Sequence, residues 1–209
     1  MDDAIYTIGH STHSIERFLE LLKAHFVTAL GDVRSHPYSR VNPQFNRELL
    51  KEALQTIRIK YVFLGKELGA RSEDKSCYRN GQVQYDLLSK TDLFNKGIQR
   101  IKDGARSYRI ALMCAEKEPL ECHRTILVSR RLWEDEMRVR HILEDGRVED
   151  HDQTLRRLLS KLKMSEKDMF RSTAEITNEA YARQGNEIAY RENGPESPAP
   201  QQAASGAAE

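Results

Sequence analysis

Long apolar runs are missing from this sequence. No stretch approaches the roughly 20 residues that a helix needs to cross a bilayer, which excludes a membrane span. Cysteine is scarce and odd in number, three in 209 residues, so a disulfide framework is excluded. The 11 glycines and 6 prolines show no period, which excludes collagen. One tryptophan and a net charge of +1 supply little of the basic and aromatic surface that nucleic acid binding uses. Known fingerprints are absent as well. There is no C-x-x-C pair, no cysteine followed six residues on by arginine, no G-x-G-x-x-G and no Walker A sequence. No cofactor is therefore expected. The first residues, Met1-Asp2-Asp3-Ala4-Ile5-Tyr6, are acidic and lack the apolar core of a signal peptide, so a cytoplasmic protein is expected.

What remains is ordinary for a soluble globular protein, if on the polar side, with 39% hydrophobic and 31% charged residues. The charge is uneven. Residues 172–209 carry six Glu and two Arg, a net of −4, which leaves about +5 on residues 1–171. That balance permits a phosphate-bearing ligand without demanding one. Residues 193–209 hold small side chains, prolines and no large apolar group, and too little surface can be buried there to offset the entropy of ordering.

Short β-rich runs alternate with helical periods. Strands are expected at Ala4–Ile8, Phe26–Val33, Tyr61–Leu64, Arg109–Cys114 and Val139–Leu143. Helices are expected after Ser14, over Asn46–Ile57, Asp92–Asp103 and Cys122–Asp135, and from Asp152 to Arg191 with a break near Ser165. A turn is expected at Glu144–Arg147, and residues 66–90 read as a long irregular connection, a candidate lid or binding segment. Such alternation predicts one mostly parallel sheet of about five strands flanked by helices, with an additional C-terminal helical region. Ligands of such sheets bind beyond the carboxyl ends of the strands.

Those ends hold the chemistry. The first strand delivers His10 and Ser11, the second Asp32, Arg34 and Ser35, the fourth Cys114 and Glu116, and the next helix opens on Cys122-His123-Arg124. Free N–H groups and a helix dipole at that opening favour anions and lower a thiol pKa. Cys122 is then a candidate nucleophile, His123 or His10 the acid or base, and Cys114 a second catalytic thiol. Asp32 and Arg34, two apart on a strand, share a face. Arg34 and Arg124 are candidate anion ligands, Asp32 orients, and Ser11, Ser35, Tyr38 and Glu116 complete the ligand-binding set. The alternatives stay open. Cys114 fits a buried small hydrophobe, and Arg124 can pair with Glu118 or Glu121 on the surface. The Asp32–Arg34 pair can serve only to shape a loop. Cys114, Cys122, His123 and His10 can also ligate a metal, though no recognised spacing supports it, and no metal ligand is assigned. Cys77, in a polar stretch, reads as an incidental exposed thiol.

Thr7-Ile-Gly-His-Ser11, Gly31-Asp-Val-Arg-Ser35, Phe63-Leu-Gly65 through Leu68-Gly69, and Cys114 to Cys122-His-Arg124 resemble the bacterial family called domain of unknown function 488. Tyr85, Phe94, His141 through Gly146, and Glu179-Ala-Tyr181 to Ile188-Ala-Tyr190-Arg extend the resemblance. It implies one compact α/β domain over residues 1–191, C-terminal helices included; composition makes 192–209 a disordered tail. It supplies no activity. The residues by themselves point to a hydrolase or transferase for a phosphate-bearing small molecule or a nucleotide. The alternatives are a non-catalytic nucleotide or nucleic-acid module and a metal-dependent Cys/His site.

Overall fold

The computed structural model describes residues 4–192; the expected tail from residue 193 onward lies outside them. Its core is a six-stranded sheet in the order β3-β2-β6-β1-β7-β8. The strands are β1 (Ile5–Gly9), β2 (Ala29–Asp32), β3 (Lys60–Phe63), β6 (Ile110–Cys114), β7 (Val139–Ile142) and β8 (Val148–Asp150). A separate two-stranded hairpin contains β4 (Tyr78–Arg79) and β5 (Gln82–Val83). All neighbours in the main sheet are parallel except β7 and β8.

The interior strands β1, β2 and β6 are buried on both faces, and their side chains divide by a period of two. Ile110, Leu112 and Cys114 face one core with Phe94, Ile98 and Leu127. Ala111 and Met113 face the other with Phe18, Leu22, Leu50 and Leu54.

Helices cover both faces. They are α1 (Ile15–Ala24), α2 (Arg47–Thr56), the short α3 (Gly65–Leu68) and α4 (Tyr85–Leu88), α5 (Asp92–Ala105), α6 (Arg130–Glu134), α7 (His151–Lys161) and α8 (Thr173–Ile188). The hydroxyl of Ser14 accepts from the Arg17 N–H and caps α1 as expected. Capping boxes start α7 (Asp150, Gln153) and α8 (Ser172, Glu175). The interruption between those helices falls around Ser165.

Three expectations need correction. The segment from Cys122 is not one α-helix. Pro119–Glu121 forms a 3-10 turn, Cys122 is extended, and Arg124–Ser129 is π-helical before α6. Ser129 donates its hydroxyl to the Arg124 carbonyl at 2.7 Å inside that wide turn, and such turns frequently mark functional sites. Residues 66–90 are not irregular throughout. Asn80-Gly81, both at positive φ, turn the β4–β5 hairpin. Cys77 is buried at 1% exposure, because a 3-10 turn folds it into the core beside Val83 and Leu88. Glu192 N–H bonds the Gly81 carbonyl. The hydrophobic pattern did not reveal β8, because its three residues are only half-buried.

Candidate active site

Three neighbouring strands, β2, β6 and β1, end together and hand the chain into loops at one edge. His10 N–H bonds Cys114 O, Ser11 N–H bonds Ala115 O, and Val33 N–H bonds Met113 O, all within 2.9–3.1 Å. The loop after β6 crosses directly over the end of β1. A Cβ at Gly9 would lie 1.9 Å from the Glu116 carbonyl oxygen, so only glycine admits that crossing.

The crossing turns Cys114, Glu116, Cys122 and His123 toward one point. Glu116 Oε2 lies 2.9 Å from the sulfur of Cys114 and 2.9 Å from that of Cys122. His123 Nδ1 lies 3.6 Å from Cys114 Sγ and 3.9 Å from Cys122 Sγ. On the far side of its ring, Nε2 meets the Val33 carbonyl at 3.0 Å. A carbonyl only accepts, so Nε2 carries the hydrogen and Nδ1 faces the sulfurs. The Arg124 N–H points at Cys122 Sγ from 3.4 Å.

Both cysteines and His123 are buried, whereas Glu116 keeps an exposed edge and turns Oε2 inward. Burial opposes ionising Cys122. Its thiol is nevertheless held well below the ordinary range by the Cys114 hydrogen bond, the Arg124 guanidinium and the His123 ring. Burial, then the bond to Cys122 and its charge, push the Cys114 thiol well up. Burial and Cys122 raise Glu116. Burial lowers His123, but contact with Cys122 and the charge of Glu116 outweigh it and raise its affinity for a proton. Of the two thiols, Cys122 is therefore the one that ionises more readily.

The other expected residues hold this geometry in place. Arg34 clasps Asp32 through Nε (2.9 Å) and Nη2 (2.7 Å), donates to Phe45 O, and reaches His10 Nε2 at 3.3 Å. Asp32 also accepts from the Arg34 N–H and from the Tyr61 hydroxyl. With that many donors on a buried carboxylate, it orients Arg34. His10 donates from Nδ1 to Ser11 O, stacks on Phe45 at 4.3 Å, and is pushed down to about 4 by burial and by Arg34. It is neutral at pH 7. Arg124, with no exposure at all, spends Nη1 on Glu116 O (2.6 Å) and Nη2 on Lys117 O (3.2 Å). It fastens the loop that carries Glu116.

The cluster opens into a cavity of about 200 Å³. Arg34, Ser35, Cys114, Glu116 and His123 line it, as do Arg71, His36, Tyr85 and Tyr190. His10, Ser11, Asp32, Tyr38, Cys122 and Arg124 do not. Tyr38 is 58% exposed and donates to Glu48. Sequence reasoning did not name Arg71 as a site residue. Its guanidinium lies over the Tyr190 ring at 4.4 Å, and its backbone N–H donates to Ser35 Oγ. The one signal for it was the length of the 66–90 connection.

A family model covers residues 14–131. The chain belongs to the family described as Domain of unknown function DUF488. No curated protein and no solved structure gives a significant match. Within the DUF488 match lie Arg34, Arg71, Tyr85 and the whole Cys114–Arg124 segment; His10, α7 and α8 fall outside it. No described helix is long and apolar enough to cross a membrane.

Proposed function

We propose that this DUF488 protein is an enzyme, a hydrolase or group transferase for a phosphate-bearing small molecule such as a nucleotide. One observation carries the reading: Cys114, Glu116 and His123 line the same cavity as Arg34 and Arg71. Guanidinium groups suit phosphate oxygens because their N–H donors match them in pairs. Four of the five Arg34 donors are taken, which leaves one Nη1 hydrogen for a ligand. Arg71 is exposed and stacked on Tyr190. The Tyr85 and Tyr190 rings offer apolar faces for the rest of the molecule.

In this reading Glu116, whose pKa burial raises, exchanges a proton with the reacting group. Cys122 sits behind the cavity wall at 1% exposure and acts on the cluster's charge instead of attacking substrate directly. Cys114 and His123 face the cavity.

The test is a thermal-shift series with inorganic phosphate, pyrophosphate and nucleotides, matched against their unphosphorylated nucleosides. A ligand at 100 times its Kd stabilises by about 2.7 kcal/mol. Stabilisation by phosphorylated compounds alone, lost in Arg71→Ala, supports the reading. Absence of any shift at millimolar concentration removes it.

A further inference from the structure

We propose that Cys114, Glu116, Cys122 and His123 together hold one divalent cation of the zinc class. Their four donor atoms, one from each residue, all lie within 4.8 Å of one another. A tetrahedral zinc with bonds of about 2.3 Å to sulfur and about 2.05 Å to nitrogen sets its S···N edges near ~3.6 Å. The two measured S···N separations are 3.6 and 3.9 Å. The two S···O separations, 2.9 Å each, are shorter than such an edge, and a small outward turn of the exposed Glu116 side chain opens them.

The surroundings are those of a ligand set. The Val33 carbonyl takes the Nε2 hydrogen of His123 and leaves Nδ1 bare toward the sulfurs, the outer bond that fixes tautomer and ring orientation in metal-binding histidines. Cys122 Sγ receives a backbone N–H from Arg124, a bond that suits a thiolate. Arg124 is itself turned to carbonyls, where it braces the loop bearing Glu116. Two sulfurs and one carboxylate oxygen converge at 2.9 Å contacts beside the bare Nδ1 of His123, the donor types that a zinc-class cation takes.

The ligands also select the metal. Two thiolates with an imidazole are too soft for magnesium or calcium and suit zinc, or iron and cobalt in the divalent state. The set differs from the one the sequence made conceivable. His10 is held away by Ser11 O and Arg34, and Glu116 takes the fourth place. All four ligands fall within one ten-residue segment, residues 114–123, between the end of β6 and the π-helical turn. Because Glu116 is the one exposed member of the set, it is the ligand that water or a substrate oxygen can replace.

The experiment uses the full chain, purified reduced and without chelator. Elemental analysis is expected to find about one zinc per chain. Cobalt(II) added to the stripped protein is expected to give sulfur-to-metal charge-transfer bands with tetrahedral ligand-field bands. Cys122→Ser and His123→Ala are each expected to lose those bands while Cys77→Ser keeps them, with circular dichroism reporting the fold. If a variant fails to fold, thiol titration of the wild type decides instead: zinc should protect Cys114 and Cys122 from a thiol reagent under denaturant-free conditions and release them to it on chelation. Metal-free protein that gives no cobalt bands overturns the proposal, and so do bands that persist in folded His123→Ala. The proposal does not rest on the anion-binding reading. Zinc-loaded protein indifferent to every phosphate compound leaves the metal site standing and removes that reading; metal-free protein stabilised by phosphate does the reverse.

Discussion

His123 donates Nε2–H to the carbonyl of Val33 at 3.0 Å, joining the segment after β6 to the end of β2. That one bond determines which ring nitrogen faces Cys114 and Cys122, and so whether the imidazole meets the thiols with a lone pair or with a fixed hydrogen. The chemistry of the site depends on a backbone atom 90 residues away.

Arg124→Ala is expected to destabilise the fold by at least ~2 kcal/mol, since the Glu116 and Lys117 carbonyls lose their buried donor and a large side chain leaves a void. Arg124→Lys should recover little, because one ammonium cannot address both carbonyls in the plane of a guanidinium. Urea denaturation of the three proteins measures this. A loss below about 0.5 kcal/mol in Arg124→Ala would show that the loop stands without its brace.

Gly9→Ala places a methyl 1.9 Å from the Glu116 carbonyl oxygen. The 115–117 backbone must shift, at a cost of roughly 1–3 kcal/mol, and Glu116 moves with it. Stability should fall and any activity should fall much further. Unchanged activity would mean that the position of this loop does not matter to function.

Arg71→Ala separates binding from folding. The residue is exposed, so stability should change by no more than about 0.5 kcal/mol. Affinity for a phosphate-bearing ligand should fall about tenfold or more, the loss of one charge-assisted contact of ~1.5 kcal/mol or above. Isothermal titration with the best thermal-shift ligand checks both the constant and the site count.

Acid should weaken the protein through two buried histidines that do not line the cavity. Thr7 Oγ1, His141, His151 and the Tyr181 hydroxyl form a chain with links of 2.8, 2.9 and 2.8 Å that ties β1 and β7 to α7 and α8. Burial, the neighbouring His151, and Arg124 and Arg157 push His141 well down; burial pushes His151 down to about 4. Below pH about 6.5 the unfolded chain takes up protons at both positions while the folded chain does not. The stability they support is whole above that pH and declines as pH falls toward 4. His151 alone then accounts for ~3 kcal/mol at the bottom of the range. His10, also at about 4, adds to the decline. Denaturation at pH 7, 6, 5 and 4.5 should show a steeper loss in the wild type than in His151→Gln. Parallel curves would show that His151 stays as easily protonated as in the unfolded chain.

Much of the site was legible because its parts lie close together in the chain or at strand ends. Cys114, Glu116, Cys122 and His123 stand within ten residues, and a strand followed by a helical segment already marks such a place. The roles within the set were less legible. Arg34 and Arg124 look alike as sequence, two arginines beside candidate site residues. One lines the cavity, while the other is wholly buried against carbonyls, because each answers to acceptors its neighbours in the chain do not announce. Arg71, Tyr85 and Tyr190 come together at the cavity where the hairpin pairs with the segment after α8, through Val83 N–H to Tyr190 O. Cys77 was misread for the same reason: polar neighbours in sequence say little about what a 3-10 turn folds inward.

By itself the sequence determined the class of the fold, five of the six main-sheet strands, the longer helices and the family. These follow from local periodicity, caps and strand ends, which act over a few residues. Tertiary structure decided the strand order, which nitrogen of His123 faces the thiols, that Glu116 and not His10 joins the cysteines, and which arginine braces and which one meets the cavity. Those outcomes depend on hydrogen bonds and close approaches between segments distant in the chain, such as Val33 with His123 and Gly9 with Glu116, where burial makes an unmet donor or a stray methyl too costly to keep.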